Sequence, residues 1–177
     1  MTNFVYIATS LDGYIATEDG GLDWLNEAPN PEQSDYGFAE FVDGIDALVM
    51  GRNTFEMVVS FGVWPYQRPV FVLSNSLEQI PEGYADKAEI VSGDLREIMD
   101  RLERRGYRRL YIDGGVTIQS FLQQDLIDEM IITRLPVLLG GGIPLFGELV
   151  HNLKFSHVQT DVYNNALVKS RYVRDRV

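Results

Sequence analysis

The stretch Arg109-Leu110-Tyr111-Ile112-Asp113-Gly114-Gly115-Val116-Thr117-Ile118 decides the fold. An apolar run of strand type ends in two glycines, and an amphipathic segment carrying Val116, Ile118, Phe121 and Leu122 begins at once. A strand that enters a helix through a turn without Cβ atoms lets backbone approach a ligand closely. The free N–H groups and the positive end of the helix dipole then point at it. An anion, most naturally a phosphate, is the occupant this favours. Paired glycines also serve a tight turn that binds nothing, and these residues alone leave both readings open.

Working outward, the same grammar recurs upstream. Ala47-Leu48-Val49-Met50 reads as a buried strand running through Gly51-Arg52-Asn53-Thr54 into a short helix over Phe55–Val59. Arg52 sits at a helix start, where a cation opposes the dipole, and that mismatch points to an anion beside it. Pro69–Asn75 forms another strand with a polar end, and Ala88–Val91 a short one. Asp94 caps the clearest helix, with Glu97 as its capping-box partner, a stripe of Leu95, Ile98, Met99 and Leu102, and Gly106 at the end.

Phe4–Thr9 opens the chain as a buried strand, and Tyr14-Ile15-Ala16 is a second short apolar piece. Glu27–Asp35 is loop-like. A helix is expected over Tyr36–Val42, capped by Ser34 or Asp35. Beyond Asp125 the pattern turns to strands alone: Glu129–Leu135, then Lys154–Val162 and Ala166–Val173 as a hairpin joined by Tyr163-Asn164-Asn165. The expectation is one α/β domain over residues 1–177, with three layers, a mainly parallel central sheet, flanking helices and antiparallel C-terminal strands.

Composition narrows the function. The 177 residues are 45% hydrophobic and 23% charged, near globular averages, with no run approaching the ~20 apolar residues that span a bilayer. A net charge of −11 argues against duplex nucleic acid as a partner, though not against a small anion held by a local arginine. With no cysteine and two isolated histidines, His151 and His157, no metal site is expected. The N-terminus lacks a basic, then apolar, leader pattern, so a cytoplasmic protein is the expectation.

Four segments carry a resemblance. Ala8-Thr9-Ser10-Leu11-Asp12-Gly13-Tyr14-Ile15-Ala16, Met50–Glu56, Ile112–Gly115 and Pro136–Phe146 occur in the order found in the dihydrofolate reductase superfamily. Within it, the chain is most similar to the reductase domain of bacterial riboflavin-biosynthesis deaminase-reductases and its stand-alone relatives. The resemblance implies an NADPH-dependent reductase. Gly51, Arg52, Asn53 and Thr54 then fall on the loop for the adenosine phosphate and pyrophosphate, with Leu73, Ser74 and Asn75 at the adenosine. Gly114, Gly115, Val116, Thr117 and Ile118 fall on the pyrophosphate turn, while Ala8 and Ile15 flank the nicotinamide. It also implies a cis peptide at Gly114–Gly115, which costs about 3 kcal/mol without proline, and a homodimer through the terminal strands.

The substrate side is less clearly marked. Trp24, Phe38, Phe55 and Val58 are candidate walls, and Asp35 and Asp113 the candidate catalytic acids. Asp35 equally suits a helix cap, and Asp113 a strand-end residue bonding local N–H groups. An acid at Asp113 favours a uracil-like or pterin-like ring. A ribosyl phosphate on such a ring calls for a second basic pocket, for which Arg68 and Arg134 are the only candidates. Without a clear proton donor, a non-catalytic nucleotide- or ligand-binding module on the same fold is the alternative.

Overall fold

Val5, Ala47, Val49, Leu110 and Ile112 bury their side chains on one face of a central sheet, and Phe4, Leu48, Met50 and Tyr111 on the other. Strands apolar on both faces are the mark of a parallel sheet covered on both sides. The computed structural model, which describes residues 1–176, has that architecture. Its strands are β1 (Thr2–Thr9), β2 (Tyr14–Ala16), β3 (Ala47–Gly51), β4 (Val70–Leu73), β5 (Ala88–Val91), β6 (Arg109–Asp113), β7 (Glu129–Arg134), β8 (Ile143–Pro144), β9 (Phe155–Tyr163) and β10 (Leu167–Arg174). The helices are α1 (Phe38–Asp43), α2 (Arg52–Ser60), α3 (Leu95–Arg104) and α4 (Gly115–Gln123).

Eight strands form one sheet in the order β5-β4-β3-β6-β1-β7-β10-β9. The first six run parallel; β10 is antiparallel to β7, and β9 to β10. Helices α3 and α4 cover one face through Ile98, Met99, Leu102, Ile118, Phe121 and Leu122. On the other face lie α2, through Phe55, and α1, through Phe38 and Phe41. The three-layer α/β reading is therefore the observed fold.

The connections fix where a ligand fits. From β3 the chain passes through α2 to β4 on one side, whereas from β6 it passes through α4 to β7 on the other. Adjacent strands whose connections diverge open a crevice at their carboxyl ends. The turn between β1 and β2 is tied to the segment leading into β8 by Asp12, whose carboxylate accepts from Ser10 Oγ (2.5 Å), Leu139 N (3.1 Å) and Gly140 N (2.8 Å).

Three local expectations are corrected. No peptide bond among the described residues is cis, so Gly114–Gly115 is trans. The bend comes instead from Gly114 at φ +93°, a conformation open to a residue without Cβ. Helix α1 starts at Phe38, with Gly37 at φ 87° in the cap position; Asp35 caps it from further back by accepting from Gly37 N and Ala39 N, both at 2.9 Å. At α3 the capping box is half made: Asp94 Oδ1 accepts from Arg96 N (2.9 Å) and Glu97 N (3.2 Å), and Glu97 returns no bond among the described residues. The β9–β10 turn is as expected, with Asn164 at φ 53° and Asn165 at φ 51°.

Candidate active site

Two turns meet at the crevice. Gly51 precedes α2 and Gly114 precedes α4, and neither helix has a side-chain cap. A Cβ on Gly51 would stand 2.8 Å from Thr117 Oγ1, and one on Gly114 would overlap Thr54 Oγ1. Each glycine thus receives the threonine from the first turn of the opposite helix. This interlock draws the two helix starts together with their amides uncapped, which concentrates the positive ends of two dipoles on one spot. Gly115 serves a different neighbour: a Cβ there would lie 2.9 Å from Ile15 Cδ1.

A large cavity of about 1390 Å³ lies over this notch. Ala8, Ile15, Gly51, Arg52, Asn53, Thr54, Leu73, Ser74, Asn75, Gly114, Gly115, Val116, Thr117, Val58 and Asp113 all line it. It exceeds the ~300–1,000 Å³ of an ordinary ligand pocket, so it has room for two molecules side by side.

At one end stands Arg52. Its Nε donates to Glu56 Oε1 (2.6 Å) and its Nη1 to Ser76 Oγ (3.2 Å), which lies 3.5 Å from Ser74 Oγ. The side chain remains 45% exposed, so this ion pair is a weak surface one that holds the guanidinium beside two hydroxyls without consuming it. Arginine's planar fork suits a phosphate.

The other end is aromatic and acidic. Asp113 ends β6, and its Oδ1 accepts from Gly114 N at 2.9 Å. Burial pushes its carboxyl up to about 6, against a partial opposing effect of that hydrogen bond. Tyr6, Tyr66 and Tyr111 line the cavity near it. Tyr111 Oη donates to Tyr6 O, and Tyr6 Oη to Tyr36 O, both at 2.9 Å. Burial pushes the Tyr66 phenol well above its usual range, with the charge of Asp113 adding to it.

The remaining expected site residues lie elsewhere. Asp35 is exposed, outside the cavity lining, and held below the usual carboxylate range by the Ala39 and Gly37 amides, so its carboxylate is a helix cap. Trp24 is buried behind the wall against Leu135 and Leu167, with no partner for its Nε1 among the described residues. Phe38 packs edge-on against Tyr6, Phe55 is fully buried under Trp64, and Ile118 belongs to the core beneath α4. These four support the walls from behind. Conversely, Tyr6, Tyr66, Tyr111, Ser76 and the Ser92–Leu95 segment escaped the sequence reading. The signal for the interlock was present, since Gly51-x-x-Thr54 and Gly114-x-x-Thr117 share one spacing. Tyr66 sits in a loop without periodicity and offered none.

An uncapped double-helix notch at the switch point of a mainly parallel sheet defines the class: an α/β protein built like dihydrofolate reductase. The structure superposes on a dihydrofolate reductase of Enterococcus faecalis complexed with NADP(H) at a TM-score of 0.68, with 20% identity over 99% of this chain and 97% of that one. The chain belongs to the RibD C-terminal domain family, whose profile matches residues 4–168. A protein of Shewanella sp. PV-4 named for riboflavin biosynthesis is 55% identical over 99% of this chain and 100% of its own, with a TM-score of 0.97. A Thermotoga maritima diaminohydroxyphosphoribosylaminopyrimidine deaminase/5-amino-6-(5-phosphoribosylamino)uracil reductase shares the fold at a TM-score of 0.76 and 14% identity. This chain covers 98% of itself there and spans 56% of that longer protein.

Proposed function

We propose that this chain is an NADPH-dependent reductase of a pyrimidine- or pteridine-type heterocycle. The observation that carries the reading is the cradle itself: two helix starts interlocked through Gly51–Thr117 and Gly114–Thr54, with Arg52 and Ser74 lining one end of the same cavity and Ser76 bonded to Arg52 behind them. A dinucleotide phosphate fits that donor set, and the space that Cβ atoms would fill at Gly51 and Gly114 stays free for the threonines that hold it open. NADPH, when bound, supplies the hydride.

The chain's own residues do the rest. The amides at the α2 and α4 starts receive a pyrophosphate, and Arg52 with Ser74 and Ser76 receives a phosphate on the adenosine ribose. Ala8, Ile15 and Val58 provide apolar wall that excludes water from the hydride path. Asp113, which gives up its proton near pH 6, presents a carboxylate at neutral pH to a ring lodged between Tyr66 and Val58. Asp35, which the sequence offered for that task, is not in a position to perform it.

Titration with NADPH, followed through quenching of Trp24 and Trp64 fluorescence, tests the reading. Saturable binding is expected; no binding at millimolar NADPH overturns it. We further propose a homodimer through β9, an edge strand of nine residues with Val158 and Val162 exposed. Light scattering on the eluting peak checks it, and a monomer at all concentrations contradicts it.

A further inference from the structure

We infer that the substrate end of the cavity takes a heterocycle that carries no phosphate, and that Tyr66 and Asp113 together read the ring's adjacent N–H and C=O groups. This rests on the reductase reading above and narrows its substrate class.

The first part follows from where charge lies. Among the described residues, Arg52 is the one cationic side chain lining the cavity, against Glu18, Asp19, Asp94 and Asp113. Arg52 belongs to the phosphate notch, as do the helix amides. The candidates for a second basic pocket are committed or remote: Arg68 Nη2 donates to Asp43 O at 3.0 Å, and Arg134 is exposed at the end of β7, outside the lining. Lys169, behind Tyr6, donates to Tyr36 O at 2.8 Å. A substrate phosphate would therefore enter an acidic region with no cation to meet it. A dinucleotide in the notch would add further negative charge.

The second part follows from two uncommitted groups. Tyr66 packs edge-on against Trp64, with centroids 5.6 Å apart at 88°, and Trp64 packs on buried Phe55, so the phenol has a set direction. Its hydroxyl has no partner among the described residues, unlike those of Tyr6 and Tyr111. Asp113 engages one oxygen with Gly114 N and leaves Oδ2 free. Both side chains line the same end, and the charge of Asp113 is felt at the Tyr66 hydroxyl. A phenol donor beside a carboxylate acceptor is the complement of a lactam edge, –NH–C(=O)–. A site that makes such bonds rejects ligands lacking the matching group, because its own polar atoms are then left unpaired.

Calorimetry with four probes tests both parts: lumazine and 3-methyllumazine for the edge, and 5-amino-6-(ribosylamino)uracil with and without its 5′-phosphate for the charge. Lumazine is expected to bind at least about tenfold tighter than its 3-methyl derivative, and the phosphate-free uracil at least about tenfold tighter than the phosphate. Tyr66→Phe should reduce the lumazine preference to about threefold or less, with unchanged NADPH affinity and an unchanged melting temperature. Tighter binding of the phosphorylated compound overturns the charge argument. Equal binding of the two lumazines, an unaltered preference in Tyr66→Phe, or no lumazine binding overturns the pair. Failure of NADPH to bind, by contrast, removes the reductase reading and is seen separately in the cofactor titration.

Discussion

The parallel and antiparallel parts of the sheet obey different rules. In β3, β4 and β6 the inner residues are buried on both faces, and the residues just past their carboxyl ends build the cavity. In β9 six of nine residues are exposed and none is buried, β10 is only partly covered, and no residue of β7, β9 or β10 lines the cavity. Strands packed between two helical layers are held on both faces, and the turns at their ends are held with them. A hairpin at the sheet edge has no such constraint. The difference teaches that the site borrows its precision from burial: two helix starts can interlock only because the strands that deliver them are immobile.

Breaking the interlock should have the largest effect. Gly114→Ala forces a Cβ into Thr54 Oγ1 at a positive φ, and is expected to destabilise the fold by about 2–3 kcal/mol and to abolish NADPH binding. Urea denaturation and cofactor titration check it; a stable variant that binds normally would refute the interlock.

Asp113→Asn should act in the opposite direction on stability. The folded carboxyl titrates near 6 against 3.8 unfolded, so as pH rises between those values the unfolded chain releases its proton first and the native state loses ground. At about 1.4 kcal/mol per unit the ceiling is roughly 3 kcal/mol, reduced to about 1–2 kcal/mol because the side chain is partly exposed. The variant should therefore be more stable at pH 8, match the wild type near pH 4, and lose turnover. Paired melts across that range decide the sign, and a wild type that gains stability over the variant as pH rises would contradict it.

Arg52→Ala should weaken NADPH about tenfold, about 1.4 kcal/mol, and NADH less, since the guanidinium faces the end assigned to the extra phosphate. Equal losses for both would move Arg52 to the pyrophosphate. At the far edge, Gln159→Ala on β9 should stay within about 0.5 kcal/mol and leave cofactor affinity unchanged. A large effect there would erase the contrast between the two parts.

The same contrast explains what the sequence disclosed. Buried parallel strands announce themselves as continuous apolar runs, and Gly51 and Gly114 mark where they turn, so the fold and the place where two helix starts meet were readable. Asp113 was found because it stands beside the glycines. Trp24 and Phe55 are buried and Phe38 half-buried, all outside the cavity lining, since composition does not say which side of a wall a ring occupies. Asp35 followed the strong preference of aspartate for caps rather than for chemistry. Tyr66 was silent, because a loop residue acquires meaning only when the fold brings it beside a carboxylate.

A crystal structure of the chain soaked with NADP⁺ tests the central claim most directly. The account predicts density for the pyrophosphate between the starts of α2 and α4, with the remaining phosphate against Arg52 and Ser76. Density for the dinucleotide elsewhere, or a cavity that stays without it at millimolar cofactor, would contradict it.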